Sequence, residues 1–134
     1  MIKDINLHYQ DASVIKRFQE ERLKETLAYL AQHSAYYKRM FAEHNIDIEA
    51  INTLEDLCKI PTTSKQDLQK YNQDFLCVNP TDVIDYVTTS GTLGEPVTFA
   101  LTENDLQRLA YNEASSFTMA GCKKEDVMQL MTTI

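Results

Sequence analysis

The chain has 134 residues, 43% of them hydrophobic, enough for one core of modest size. Thirteen basic against 20 acidic groups leave a net charge of −7, which disfavours a nucleic-acid backbone or an anionic membrane as the main partner, since both want a Lys/Arg surplus. No apolar run approaches the ~18 residues of a membrane span, and Met1-Ile2-Lys3-Asp4 opens no apolar signal core, so a soluble, cytoplasmic chain is expected.

Only three glycines and three prolines favour long helices over a turn-rich all-β fold. The first periodic segment runs from about Val14 to His33. Phe18, Leu23, Leu27, Leu30 and Ala31 share one face, and Lys16, Glu20, Glu21, Lys24 and Glu25 fill the other. Asp11 or Ser13 is the expected N-cap, and the acidic cluster reads as a solvated face. A shorter helix follows Ser34, with Tyr37, Met40 and Phe41 on one side and Asn45 as its left-handed stop. Tyr36 and Tyr37 read as packing residues with a polar tip. Two capping-box starts come next, Thr53 to Asp56 and Ser64 to Asp67, the first helix stopped by Pro61 and the second ending near Tyr71.

Beyond Pro80 the pattern changes. Val83 to Thr88 is β-branched and aromatic, as strands are, and Val97 to Leu101 alternates as its returning partner. A third capping box, Thr102 to Asp105, opens a helix with Leu106, Leu109, Ala110, Ala114 and Phe117 on one face and Gly121 as its end. Val127 to Met131 reads as the start of a buried strand. The order strand, hairpin, helix, strand begins an α/β domain without completing it, so the expected fold is α/β and α-rich. A strand left at an open sheet edge would favour pairing with a second copy, hence a homodimer. Cys58, Cys77 and Cys122 are odd in number and include no CxxC pair, so they are expected as buried free thiols. His8, His33 and His44 follow no ligand spacing and are expected at the surface, and no metal site is expected.

Two of the three glycines, Gly91 and Gly94, fall in the loop Thr88 to Pro96 between the two expected strands. Glycine lets a backbone take positive φ and approach a ligand closely. Successive N–H groups then make a concave anion nest, and Thr and Ser hydroxyls add donors that suit phosphate oxygens. On composition alone an ordinary hairpin loop explains the residues equally well. There is no Gly-Lys-Ser/Thr ending, and a strand rather than a helix follows, which excludes a Walker loop. Ser90 is not in a Gly-x-Ser-x-Gly elbow, so serine hydrolysis is disfavoured.

Thr88-Thr89-Ser90-Gly91-Thr92-Leu93-Gly94-Glu95-Pro96 resembles the phosphate loop of the adenylate-forming superfamily, Ser/Thr-Ser-Gly-Thr-Thr-Gly-Lys-Pro. The flanks resemble its phenylacetate–coenzyme A ligase branch. Tyr36-Tyr37-Lys38-Arg39-Met40-Phe41 is similar to that branch's Pro-Tyr-Tyr-Arg-Arg-Leu-Phe segment. Leu54-Glu55-Asp56-Leu57 and Pro61-Thr62-Thr63-Ser64-Lys65-Gln66-Asp67-Leu68 are similar to its Leu-Glu-Asp-Leu and Pro-Phe-Thr-Thr-Lys-x-Asp-Leu segments. Two positions depart from the pattern: Leu93 lacks a hydroxyl, and Glu95 puts an anion where the loop lysine stands.

The resemblance implies an ATP-dependent ligase that adenylates an aryl or acyl carboxylate and passes it to coenzyme A, using MgATP. It covers about the first third of such an enzyme. It implies an N-terminal helical subdomain over residues 1–80 and, over 81–134, the beginning of the ATP-binding α/β domain with the loop at 88–96. The ATP phosphates would be held by Thr89, Ser90, Gly91, Thr92, Leu93, Gly94 and Glu95. Lys65, matching the lysine of the Thr-Thr-Lys segment, would reach over them from the helical side. By itself Lys65 reads as a solvated lysine in a helix's first turn, where the helix dipole does not favour it. No catalytic residue is assigned within the chain, and the chain alone is expected to be inactive. Two alternatives stay open: a related adenylating enzyme with another acceptor, such as a deazaflavin cofactor or an intermediate of polysaccharide assembly, and a helical interaction domain whose glycine loop is only structural.

Overall fold

The structure, a computed structural model, describes residues 7, 9–89, 91, 96–129 and 131. Helix α1 spans Ala12–His33. Asp11 takes the N-cap position, but through its backbone: its carbonyl accepts the Val14 and Ile15 amides at 2.9 and 3.1 Å, and its side chain makes no cap bond. Ser13 lies inside the helix.

Ser34 ends α1 and starts α2, Ala35–Glu43. Its N–H donates to the Leu30 carbonyl at 3.0 Å, its Oγ accepts from the Tyr37 amide at 3.3 Å and donates to the Asp74 carbonyl at 3.0 Å. A fully buried hydroxyl is thereby satisfied in both roles. At the far end of α2, Asn45 sits at φ +52. The Ile46 and Asn45 amides donate to the Phe41 and Ala42 carbonyls at 2.8 and 3.2 Å, the paired closure expected of an αL residue at that place.

The segment opened by Thr53 forms a 3₁₀ turn, Leu54–Lys59, with both halves of its capping box in place. Six residues held short by Pro61, which forces Ile60 to extended backbone, leave no room for a regular α-helix. Helix α3, Lys65–Lys70, carries the Ser64–Asp67 box and ends at Tyr71 as expected. A further 3₁₀ turn, Asn72–Phe75, follows. These pieces pack around one core of Leu27, Tyr36, Met40, Phe41 and Ile51. Tyr36 stacks on Phe75 with ring centroids 4.0 Å apart, and the Tyr37 hydroxyl meets Thr63 Oγ1 at 3.3 Å. Both tyrosines therefore pack a ring and keep a polar tip.

After a 3₁₀ turn at Pro80–Asp82, strands β1 (Val83–Thr88) and β2 (Thr98–Thr102) pair antiparallel. Val83 faces Thr102 and Asp85 faces Leu101, so Ile84 is an extra residue, a bulge. Helix α4, Glu103–Met119, starts on the Thr102–Asp105 box. Gly121 at φ +87 closes it, with Gly121 and Cys122 amides donating to Thr118 and Phe117 at 3.0 Å each.

Three expectations are corrected. Of the apolar face assigned to α4, only Leu106 is half-buried. Leu109, Ala110, Ala114 and Phe117 are exposed, because α4 packs along β2 and no second layer lies against its other side among the described residues. Residues 127–129 and 131 form no strand, and Val127 is 98% exposed. Among the described residues β1 and β2 pair only with each other, so no sheet edge there orders that run. The cysteines are free but none is buried: Cys58 is exposed on its 3₁₀ turn, and Cys77 and Cys122 are half-buried. His33 and His44 are exposed as expected, and His8 lies outside the described residues.

Candidate functional site

The glycine loop is closed at its base by Thr89 and Val97. The Thr89 N–H donates to the Val97 carbonyl at 3.0 Å, and the Val97 N–H donates to Thr89 Oγ1 at 3.0 Å. The second bond replaces the rung that the Thr89 carbonyl would make in a regular ladder. Accepting from Val97 leaves the Thr89 hydroxyl its proton to donate. Val97 is almost fully buried, whereas Thr89 is exposed. Two residues on, Gly91 has φ +63, a left-handed conformation that a β-branched residue adopts only under strain. Ser90, Thr92, Leu93, Gly94 and Glu95, also assigned to the site from sequence, lie outside the described residues.

Lys65 is the first residue of α3 and exposed. Ser64 and Asp67 fix the turn around it. Asp67 Oδ2 accepts from the Ser64 amide at 2.8 Å and from Ser64 Oγ at 2.6 Å, and these bonds hold the Asp67 carboxyl below the usual carboxylate range. Among the described residues no hydrogen bond or ion pair joins Lys65 to Thr89 or Gly91, so the structure brings the loop base together but not Lys65 with it.

Two features had no sequence signal because they join distant positions. Asn72 Nδ2 donates to the Thr98 carbonyl at 2.8 Å, tying the helical region to β2 next to the loop base. The Arg39 guanidinium pairs with Asp74 at 3.0 Å and lies 4.7 Å from the Tyr71 ring centroid, with Lys70 also over that ring at 4.8 Å. Between the helical region and the hairpin runs an open cleft of about 510 Å³, lined by Tyr29, Phe75, Tyr86, Phe99 and Asp105 among others. At its wall the Tyr29 hydroxyl donates to the Cys77 carbonyl at 3.1 Å, and burial pushes the Cys77 thiol up. Asp105 is committed to its cap, its carboxyl held low by the Thr102 amide. No group of three or more His, Cys, Asp or Glu side chains that could hold a metal ion occurs among the described residues, and no described helix is long and apolar enough to cross a membrane.

No family model matches the chain. A phenylacetate–coenzyme A ligase of Thermus thermophilus is 36% identical over 110 residues, which are 81% of this chain and 25% of that protein. The phenylacetate–coenzyme A ligases of Pseudomonas putida and Escherichia coli are each 33% identical over 113 residues, 84% of this chain and 26% of theirs. A crystal structure of 2-hydroxyisobutyryl-CoA ligase with 2-HIB-AMP and CoA in the thioesterification state matches the fold with a TM-score of 0.72 at 25% identity, over 78% of this chain and 24% of that one. The same enzyme in its postadenylation state gives a TM-score of 0.78 over 85% of this chain and 25% of that one; at 22% identity that match speaks for the fold alone. The chain thus spans about a quarter of the length of the relatives it matches. Helical core, hairpin and loop base, together with these likenesses, mark it as a portion of the phenylacetate–coenzyme A ligase-like, adenylate-forming fold.

Proposed function

We propose that this chain supplies the ATP-phosphate loop and the helical region beside it to an AMP-forming acid–coenzyme A ligase. In that reaction a carboxylate oxygen attacks the α-phosphate of MgATP, giving an acyl-adenylate and pyrophosphate. The coenzyme A thiol then attacks the acyl carbon and AMP leaves. Residues 89–95 bind the departing β- and γ-phosphates, by positioning and by charge stabilisation. Lys65 supplies the cation that Glu95 does not. Mg2+ enters with ATP as part of the substrate. The carboxylate is aryl or acyl and resembles phenylacetate. Residues 1–80 act as the helical subdomain and 81–134 as the start of the ATP-binding domain. The cytoplasm is the compartment this reading assigns, because ATP and coenzyme A are its substrates. The exposed Val127, Met128 and Met131 side chains support self-association as a homodimer.

One observation carries the reading: a Thr89–Val97 closure with Gly91 left-handed between two strands, in a chain that matches these ligases over four-fifths of its length. The test is titration of the chain with inorganic pyrophosphate, following the Thr89, Gly91 and Val97 amide resonances. The wild type is expected to shift and saturate. Gly91→Val abolishes the response because the side chain strains the φ and fills the space a phosphate needs. Lys65→Ala weakens binding roughly tenfold to a hundredfold, the range of a charge-assisted contact, and Glu95→Lys recovers part of that loss. No response in the wild type overturns the reading.

A further inference from the structure

The Asn72 amide has a partner whose place in the sheet gives the contact a consequence. In an antiparallel ladder, carbonyls of successive residues point to opposite edges. The Val97 carbonyl points toward β1, where the Thr89 amide takes it. The Thr98 carbonyl therefore points away from β1, to the open edge of β2, and Asn72 Nδ2 meets it there at 2.8 Å. On its own side, Asn72 follows Tyr71, the residue that ends α3, and α3 begins at Lys65. Arg39 holds the next stretch through Asp74, and Phe75 is stacked on buried Tyr36. The Asn72 amide thus connects a short segment, fixed to the core and carrying Lys65 at its head, to the residue adjoining the loop base.

We propose that Asn72 is a positioning residue for the phosphate loop, its bond to the Thr98 carbonyl setting the angle between the Thr89–Val97 loop base and the helix that carries Lys65. The inference rests on the phosphate-loop reading above. Asn72 itself touches no ligand. Its effect is to fix where α3, and with it Lys65, stands relative to the loop base before the polyphosphate arrives.

The test compares Asn72→Ala, Asn72→Asp and Asn72→Gln with Asn52→Ala in the 134-residue chain. Asn52→Ala removes an amide-to-carbonyl bond of the same kind, Asn52 Nδ2 to Glu49 at 3.0 Å, within the helical region. Residual dipolar couplings measure the orientation of α3 against the hairpin, and pyrophosphate titration measures the consequence. One alignment tensor is expected to fit both regions of the wild type and of Asn52→Ala. Asn72→Ala and Asn72→Asp, which cannot donate, are expected to need two tensors and to bind pyrophosphate roughly two- to tenfold more weakly, the range of one hydrogen bond. Asn72→Gln keeps the donor and is expected to recover most of both. A single tensor in Asn72→Ala overturns the proposal, as does a changed orientation with unchanged affinity. If the wild type binds no pyrophosphate, the phosphate-loop reading fails instead, and the couplings alone decide whether Asn72 seats the hairpin.

Discussion

The helical region and the hairpin region are built by the same local rules and end differently. Both carry capping boxes of one design, at Ser64–Asp67 and at Thr102–Asp105, and both end a helix on a left-handed residue, Asn45 and Gly121. Yet α1 and α2 bury Leu27, Tyr36, Met40 and Phe41 in a shared core, while α4 buries no residue. Short-range signals decide where a helix starts and stops. What it packs against is decided by chain far away in sequence. A helix can therefore be well capped and still have an open apolar face.

Stability measurements can break this comparison. The largest effect is expected at the core: Phe41→Ala should cost about 3–5 kcal/mol, as large-to-small changes at well-packed buried sites do, read as a lower denaturant midpoint. A cost under about 1 kcal/mol would mean that the helical region is as loosely packed as the hairpin region. The caps come next. Ser64→Ala and Thr102→Ala should each cost about 1 kcal/mol, a near-equality that follows from their shared hydrogen-bond pattern, and amide exchange in the first turn of α3 or α4 should localise each loss.

The same two boxes predict a pH dependence. Asp67 and Asp105 are held below their usual values by hydrogen bonds from Ser64 and Thr102. A group depressed in the folded state stabilises fully above its unfolded pKa, and that contribution fades as pH falls through the folded value, because the unfolded chain takes up the proton first. The denaturant midpoint should thus fall from about pH 5 downward, with a shallower fall in Asp67→Asn. A midpoint that does not change between pH 6 and pH 3 would remove the carboxylates from the account. The smallest effect is expected on α4. Phe117, 41% exposed, should tolerate Ala within about 0.5 kcal/mol, an order of magnitude below Phe41, and a larger loss would reveal a partner for that face.

Legibility followed the same division. The caps at Thr53, Ser64 and Thr102, the stops at Asn45 and Gly121, and the strand pair around the loop were all readable, because each depends on residues a few positions apart. The 3₁₀ form of Leu54–Lys59 was not, since its capping box reads the same for either helix. Burial of α4 and a strand at 127–131 were inferred from apolar spacing alone, and spacing says which side would be covered, not that anything covers it. Within the site, the glycines announced the loop, but the Asn72–Thr98 bond spans 26 residues and neither partner belongs to a motif. The Arg39–Asp74 pair, 35 residues apart, was hidden for the same reason.

The side-chain rung at Thr89 also bears on how this loop could change over time. A hairpin loop usually has its length set by turn type, so altering it means inserting or deleting residues. Here one of the two bonds of the last pair before the loop is made by a hydroxyl, the other being the Thr89 amide's bond to the Val97 carbonyl. A valine at that position has nearly the same shape but no acceptor. It would leave the Val97 amide unmatched and the last pair held by the Thr89 amide alone. The grip at the loop's mouth thus depends in part on one oxygen atom, adjustable by a single substitution without any change in chain length.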